Sequence, residues 1–383
     1  MKNNLRIYLL TLISFFVGTS QFVIAGVLDK ISESMNISIS AAGQLITVYA
    51  IASGIGTPIV AMVIAKHHQK KQLLIALSIF LTGVFLTPIA TNFEFLILAR
   101  MVTGIGAGVF VVVSYILASK LAKEGRQGSA MSNIALGFSL SLVLGVPIGR
   151  SITIMYDWQM IFWTILALVL IGTVFIIYHI PNILGQERIP LNKQLKLLNN
   201  HKVVLGLSLS FFIFIAFSII TTYIAPLLLS IKPINEHTFS LIFLLLGIAS
   251  VIGSKLGASL ADRIGIAPII FTTLTIIILS FIMMYLFSHS LPMTIIMLLF
   301  WTMAMWMFGP TQSYNLSTLV PNASTILVGL NSSIIQVGFA AGAALGGIAI
   351  SLFSIKSIIP IGILSVLIGI LVFAQLLKIE RNI

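Results

Sequence analysis

The chain contains no cysteine, so disulfides, thiolate metal sites and cysteine nucleophiles are excluded. Charge is nearly as scarce: 8% of its 383 residues are Asp, Glu, Lys or Arg, against 58% hydrophobic. A soluble fold cannot cover its surface with so little charge. The nine acids are Asp29, Glu33, Glu94, Glu124, Asp157, Glu187, Glu236, Asp262 and Glu380, and each falls at the edge of an apolar run or in a loop. The six histidines, His67, His68, His179, His201, His237 and His289, do the same. His67-His68 has no acid beside it, so no metal and no cofactor is expected. Strict apolar–polar alternation is also missing, which excludes a membrane β-barrel.

What the chain has is apolar runs of bilayer-spanning length, repeated along almost its whole length. We place twelve spans, near 6–28, 40–65, 72–92, 94–118, 128–153, 160–180, 203–230, 238–260, 267–288, 291–317, 324–353 and 357–378. The fold class is therefore all-α integral membrane. Lys2 and Arg6 before the first run resemble a signal peptide, but that run is long and many similar ones follow. The longest polar stretch, 181–202, divides the spans into two groups of six. This gives an N-terminal bundle at 1–180, a cytoplasmic linker at 181–202 and a C-terminal bundle at 203–383. Within the linker, Pro190 to Leu198 could lie as a short interfacial helix.

The net charge of +12 would suggest nucleic acid in a soluble protein. Here it reads as topology, and no nucleic acid partner is expected. Lysines and arginines gather in the loops of one side, and the other edge holds only Lys30, Arg150, Lys232 and Lys356. The positive-inside rule then puts both termini and the linker in the cytoplasm. Two cations remain inside spans. Lys255 lies near the inner end of its helix and can snorkel to the interface. Arg100 cannot, and an arginine in hydrocarbon costs at least ~2.5 kcal/mol. It is either a structural cation bonded to nearby carbonyls or hydroxyls, or part of a coupling device. Gly104, Gly106 and Gly108 follow it and thin one side of the same helix for a close neighbour. Two sixes joined by a linker is also the layout of transporters built from parallel repeats, with substrate bound near the midplane.

Several motifs, in order and spacing, resemble the major facilitator superfamily over essentially the whole chain. Gly257-Ala-Ser-Leu-Ala-Asp262-Arg263-Ile-Gly265 is similar to its Gly-x-Leu-Ala-Asp-Arg-x-Gly loop, while the first-half copy at Ala65–Lys71 lacks the glycine and the aspartate. Arg100 with Gly104 is similar to its fourth-helix Arg-x-x-x-Gly pair. Gly137 to Arg150, with Gly145, Pro147 and Gly149, resembles the fifth-helix antiporter motif that marks exporters. Asp157-Trp158-Gln159 with Phe162 is similar to the start of the sixth helix. The branch it resembles is the twelve-span drug–proton antiporters, and within it the bacterial sugar-, purine- and chloramphenicol-efflux group. That group usually carries a glutamate before Phe22, where this chain has Gln21.

The resemblance implies a monomeric cell-membrane exporter in which two pseudo-symmetric six-helix bundles rock in alternating access, with protons as the coupling ion. No core acid is available for that coupling. Glu94 lies about 240° around the helix from Arg100, so Asp29 is the candidate acid, against its reading as an ordinary acid at a helix end. Gly145, Pro147 and Gly149 pack helices closely and bend the span; the resemblance adds a tight crossing between opposite halves, with Gly342, Gly346 and Gly347 as counterparts. Asp262 and Arg263 are expected to form a cytoplasmic latch. Around Pro310, expected to break or kink its span, Trp306, Phe308 and Gln312 are candidate substrate contacts. Gln21, Gln44, Tyr49, Tyr115, Asn133, Asn331 and Gln336 join them, because an amide or phenol facing lipid is costly. A cavity without fixed negative charge suits a neutral or weakly polar, partly hydrophobic compound such as a drug, a nucleobase or a sugar. Two alternatives are an uncoupled facilitator of an uncharged metabolite and an integral-membrane transferase. The second would need a catalytic cluster near a membrane surface, and no such cluster is evident.

Overall fold

A computed structural model describes residues 2–123, 127–184, 197–320 and 324–381. Among the described residues all regular structure is helical. Twelve helices are long and apolar enough to cross a membrane: α1 Asn4–Gly26, α2 Ile39–Ile64, α3 Gln69–Leu86, α4 Phe93–Leu121, α5 Ala130–Met155, α6 Gln159–His179, α7 His201–Ile231, α8 Glu236–Ala261, α9 Ile266–Leu286, α10 Leu291–Leu319, α11 Ile326–Leu352 and α12 Ile355–Ile379. Each meets one of the twelve expected spans, with ends moved by a few residues. The expected interfacial helix at Pro190 lies largely outside the described residues.

The helix ends follow local chemistry. Ser38, Asn92 and Asn235 cap α2, α4 and α8, each side chain accepting from the backbone N–H three residues on. Beyond α8, Gly265 takes φ +94°, a backbone region that side chains resist, while its N–H donates to the Ala261 carbonyl. The last glycine of the 257–265 motif therefore has a stereochemical reason of its own.

The chain forms two compact units. One contains Met1–Arg188 and Phe239–Leu244, the other Ile189–Thr238 and Leu245–Ile383. In the first, α1 packs on α5 and α6, α4 on α2 and α3, and α3 on α6. In the second, α7 packs on α11 and α12, α9 on α10 and α12. Four of these pairs recur six helices later: α1–α5 as α7–α11, α1–α6 as α7–α12, α3–α4 as α9–α10, and α3–α6 as α9–α12. That recurrence is the pseudo-symmetry of the fold.

Glycines make the closest pairs possible. A side chain at Gly104 would meet the carbonyl oxygen of Tyr49 on α2, and one at Gly106 the backbone nitrogen of Phe80 on α3. On α5, Gly137, Gly145 and Gly149 face Thr11, Thr19 and Val23 of α1. On α11, Gly338, Gly342 and Gly346 face Phe211, Ile215 and Tyr223 of α7. The described neighbours of Gly145, Gly149, Gly342 and Gly346 thus belong to their own unit. The motif glycines build seams inside each bundle, in keeping with their reading as close-packing residues.

One expectation about proline changes. Pro310 does not break its helix: α10 runs unbroken from Leu291 to Leu319. The departure from helical backbone comes instead in α7, at Tyr223 (φ −110°, ψ 17°), three residues before Pro226. A proline clashes with backbone in the turn preceding it, and that turn yields here. Pro147 acts in the same sense, sitting just after a π-helical turn at Ser141–Gly145.

The seams lead to a paired test of stability. Gly106→Leu should drive a side chain into the α3 backbone and cost about 1–3 kcal/mol or more. Gly309→Ala should be near neutral, since nothing lies within 4 Å of a Cβ there. Thermal melts of the purified variants, followed by fluorescence-detected size exclusion, should show a clear loss for the first and little change for the second.

Candidate functional site

In the first unit, two arginines define the chemistry. Arg100 on α4 is fully buried. The closeness that Gly104 allows between α4 and α2 places Tyr49 beside it, and the guanidinium carbon lies 4.5 Å from the centre of the Tyr49 ring. One nitrogen, Nη1, donates to the Ser20 carbonyl of α1 at 3.1 Å. Nε and Nη2 have no hydrogen-bond partner among the described residues, nor does the buried Ser20 hydroxyl. Glu94 is exposed in the first turn of α4, where an acid suits the helix dipole.

Asp29 does not serve Arg100. It lies in a short helix, Leu28–Met35, that follows α1. It is nine residues on from Ser20, roughly 13 Å of helical rise. Its carboxylate accepts from Arg150 Nη1 at 2.5 Å, and the two side chains are 11% and 3% exposed. The same nitrogen donates to the Gly26 carbonyl at 3.1 Å, and the guanidinium stacks 4.4 Å from the centre of the Phe239 ring. Arg150, read from the sequence as one of the outer-edge cations, is thus buried and ion-paired. Gly149 beside it lets α5 lie against Val23, which brings Arg150 to the end of α1.

At one end of this unit three other cations hold backbone carbonyls. Arg6 donates to His179, Lys70 to Ile177 and Lys120 to Leu184, at 2.7, 2.6 and 2.8 Å. The first two cap the end of α6, where free carbonyls attract positive charge.

The second unit has a different character. Gln312 on α10 is buried and its polar atoms are engaged. Nε2 donates to the Gly206 carbonyl at 2.7 Å and to the Ser210 hydroxyl at 3.2 Å, both on α7, and Oε1 accepts from Asn315 at 3.2 Å. It ties α10 to α7. Phe308 is buried in an aromatic cluster and Trp306 is half-buried. Phe214 and Phe217 of α7 meet Phe339 of α11, and Phe217 stacks on Trp301 at 5.4 Å. Phe214 lies 6.4 Å from Phe308. The sequence reading missed Phe214, Phe217, Trp301 and Phe339 as one cluster. A phenylalanine among apolar residues carries no signal of its direction until the helices are packed.

The remaining candidates divide by burial. Gln21, Gln44, Tyr115, Asn133 and Gln336 are half-buried. Asn331 is buried, and its Oδ1 has no partner among the described residues. Arg263 is exposed at the end of α8, and the side chain of Asp262 lies outside the described residues, so the expected latch does too. Trp158 and Phe162 of the sixth-helix motif pack edge to face at 6.0 Å. No group of three acids or histidines that could hold a metal occurs among the described residues.

Comparison with known proteins bears on this arrangement. Residues 10–343 match the profile of the Major Facilitator Superfamily. An uncharacterized MFS-type transporter, YbcL of Bacillus subtilis (strain 168), is 38% identical over 97% of this chain and 95% of its own length. The inner membrane transport protein YdhP of Escherichia coli (strain K12) is 27% identical, covering 94% and 92%. Among solved structures, the nucleoside transporter NupG superposes with a TM-score of 0.79 at 12% identity, over 98% of this chain and 99% of that one. A bacterial homolog of the human lysosomal transporter Spinster, inward-facing and unoccupied, gives 0.78 at 12% identity, covering 99% and 97%. At that identity the structures speak to the fold alone.

The buried ion pair carries its own test. Arg150→Gln leaves a half-buried carboxylate without its cation and should cost about 3–5 kcal/mol. In a double-mutant cycle with Asp29→Asn, the two losses should fall short of additivity by roughly 1–3 kcal/mol. Thermal or denaturant unfolding of the four proteins in detergent measures both quantities.

Proposed function

The chain belongs to the major facilitator superfamily, and we propose that within it this protein is a secondary active exporter working by alternating access, in the drug–proton antiporter branch. Its cargo is a small neutral or weakly polar, partly hydrophobic compound, such as a drug, a nucleobase or a sugar. Protons are the coupling ion and the working form is a monomer. The moving parts are the bundles at 1–180 and 203–383, joined by a linker at 181–202.

The observation that carries this reading is the distribution of charge. Among the described residues no acid lies buried in mid-span, so a cationic cargo has no fixed counter-ion to meet. Half-buried amides such as Gln21, Gln44, Asn133 and Gln336 supply hydrogen bonds without charge. The half-buried ring of Trp306 offers aromatic surface that suits a flat, apolar cargo. Asp29 is the acid best placed for coupling, because protonation would release Arg150 and loosen the end of α1 from α5. Arg6, Lys70 and Lys120, gathered at one end of the first unit, support an orientation with that end and both termini in the cytoplasm. A facilitator without proton coupling is the second reading, and the standing Asp29–Arg150 pair favours it, since that pair can serve simply to hold the end of α1 against α5.

Transport into everted membrane vesicles separates the two. A neutral phenicol drug, a nucleobase and a cationic dye are each supplied with and without a proton gradient, to wild type and Asp29→Asn at matched amounts of folded protein. Uptake of a neutral compound should fall to background when the gradient is collapsed and in the variant. Uptake indifferent to both establishes the facilitator. Strong uptake of the dye overturns the neutral-cargo reading.

A further inference from the structure

Among the described residues, Arg100 is a buried cation with two nitrogens that have no hydrogen-bond partner. Of its five N–H donors the one bond the structure defines is to the Ser20 carbonyl, and Nε and Nη2 are sealed from solvent without an acceptor. The Tyr49 face offers a partial attraction but no negative charge. The two acids considered for it do not help: Asp29 is held by Arg150, and Glu94 is exposed. Gln21, next to Ser20, brings no charge. The Ser20 hydroxyl, on the residue whose carbonyl Arg100 already holds, is itself buried and unpartnered. A water molecule could accept one of these hydrogen bonds but would leave the guanidinium charge uncompensated. A buried cation of this kind is stabilised by an opposite charge with acceptor atoms in reach.

We propose that Arg100 and the Ser20 hydroxyl form a binding position for one compact anionic group, held between α1 and α4 beside the Tyr49 ring. The group is acceptor-only and singly charged. A free halide has this chemistry, and so does the carboxylate head of an organic acid. The burial of Nε and Nη2 requires that the end meeting Arg100 be small. The fixed fork of the guanidinium gives it two donors, and Ser20 adds a third from α1. This site is independent of the direction of transport and of proton coupling.

The test is equilibrium binding to the full chain in nanodiscs of neutral lipid, at constant ionic strength balanced with gluconate. One arm uses radiolabelled chloride, the other radiolabelled benzoate. Saturable binding of about one ion per chain is expected in at least one arm. Ser20→Ala keeps the backbone carbonyl that Arg100 holds, and should weaken binding about tenfold, the weight of one charge-assisted hydrogen bond. Arg100→Gln should abolish it. Chloride binding identifies a free anion. Benzoate binding without chloride binding puts the anionic group on an organic compound and replaces the neutral-cargo reading while the site stands. Absence of saturable binding in both arms overturns the proposal. So does binding that Ser20→Ala leaves unchanged, an outcome that remains readable if Arg100→Gln fails to fold.

Discussion

Inside a bilayer every polar group must find its partner within the protein, and the rest of this structure depends on that constraint. The helices satisfy their own backbones. Hydroxyls largely follow suit by bonding back to the carbonyl one turn before them, as Thr11, Ser14, Thr19 and Thr103 do. In the second unit several other side chains reach across seams to neighbouring backbone. Tyr223 donates to Ala343, Ser218 to Phe339 and Ser365 to Phe212, at 2.8, 2.6 and 2.7 Å. With Gln312, these bonds make α7 the hub to which α10, α11 and α12 are tied. Arg100 stands out because the same rule is left incomplete around it.

The glycine seams are the second consequence. Without water to drive helices together, association in hydrocarbon depends on close packing, and close packing requires small residues where backbones meet. The first unit uses them where α4 meets α2 and α3, and where α5 meets α1. The second uses the equivalent pair, α11 on α7. Two of these seams also bring a polar group to its partner. Gly104 brings Tyr49 over Arg100, and Gly149 brings Arg150 to the end of α1. A packing motif and a charged site are therefore one device, and a change at either disturbs both.

The two units share a plan and differ in chemistry. The first buries cations, with Arg100 inside and Arg150 at the end of α5. The second buries amides and aromatic rings, with Gln312, Asn331 and the cluster around Phe214 and Phe217.

The spans, their number and the family were legible in the sequence because hydrophobic length and loop charge are local properties. They persist whatever the helices do next. Arg100 was legible too, since one arginine in an apolar run is conspicuous without a structure. The partners were not. Asp29 is the candidate coupling acid because it lies near Arg100 in depth, yet its carboxylate meets Arg150, a residue 121 positions away. Gln312 was read as a substrate contact, and it is engaged in tying α10 to α7. Pro310 is expected to break or kink its helix, yet α10 runs unbroken past it, while α7 departs from helical backbone at Tyr223, ahead of Pro226. Sequence alone determined what had to be buried in the membrane. Which buried group meets which was decided only by the seams between helices, because a partner's distance depends on packing and not on separation along the chain.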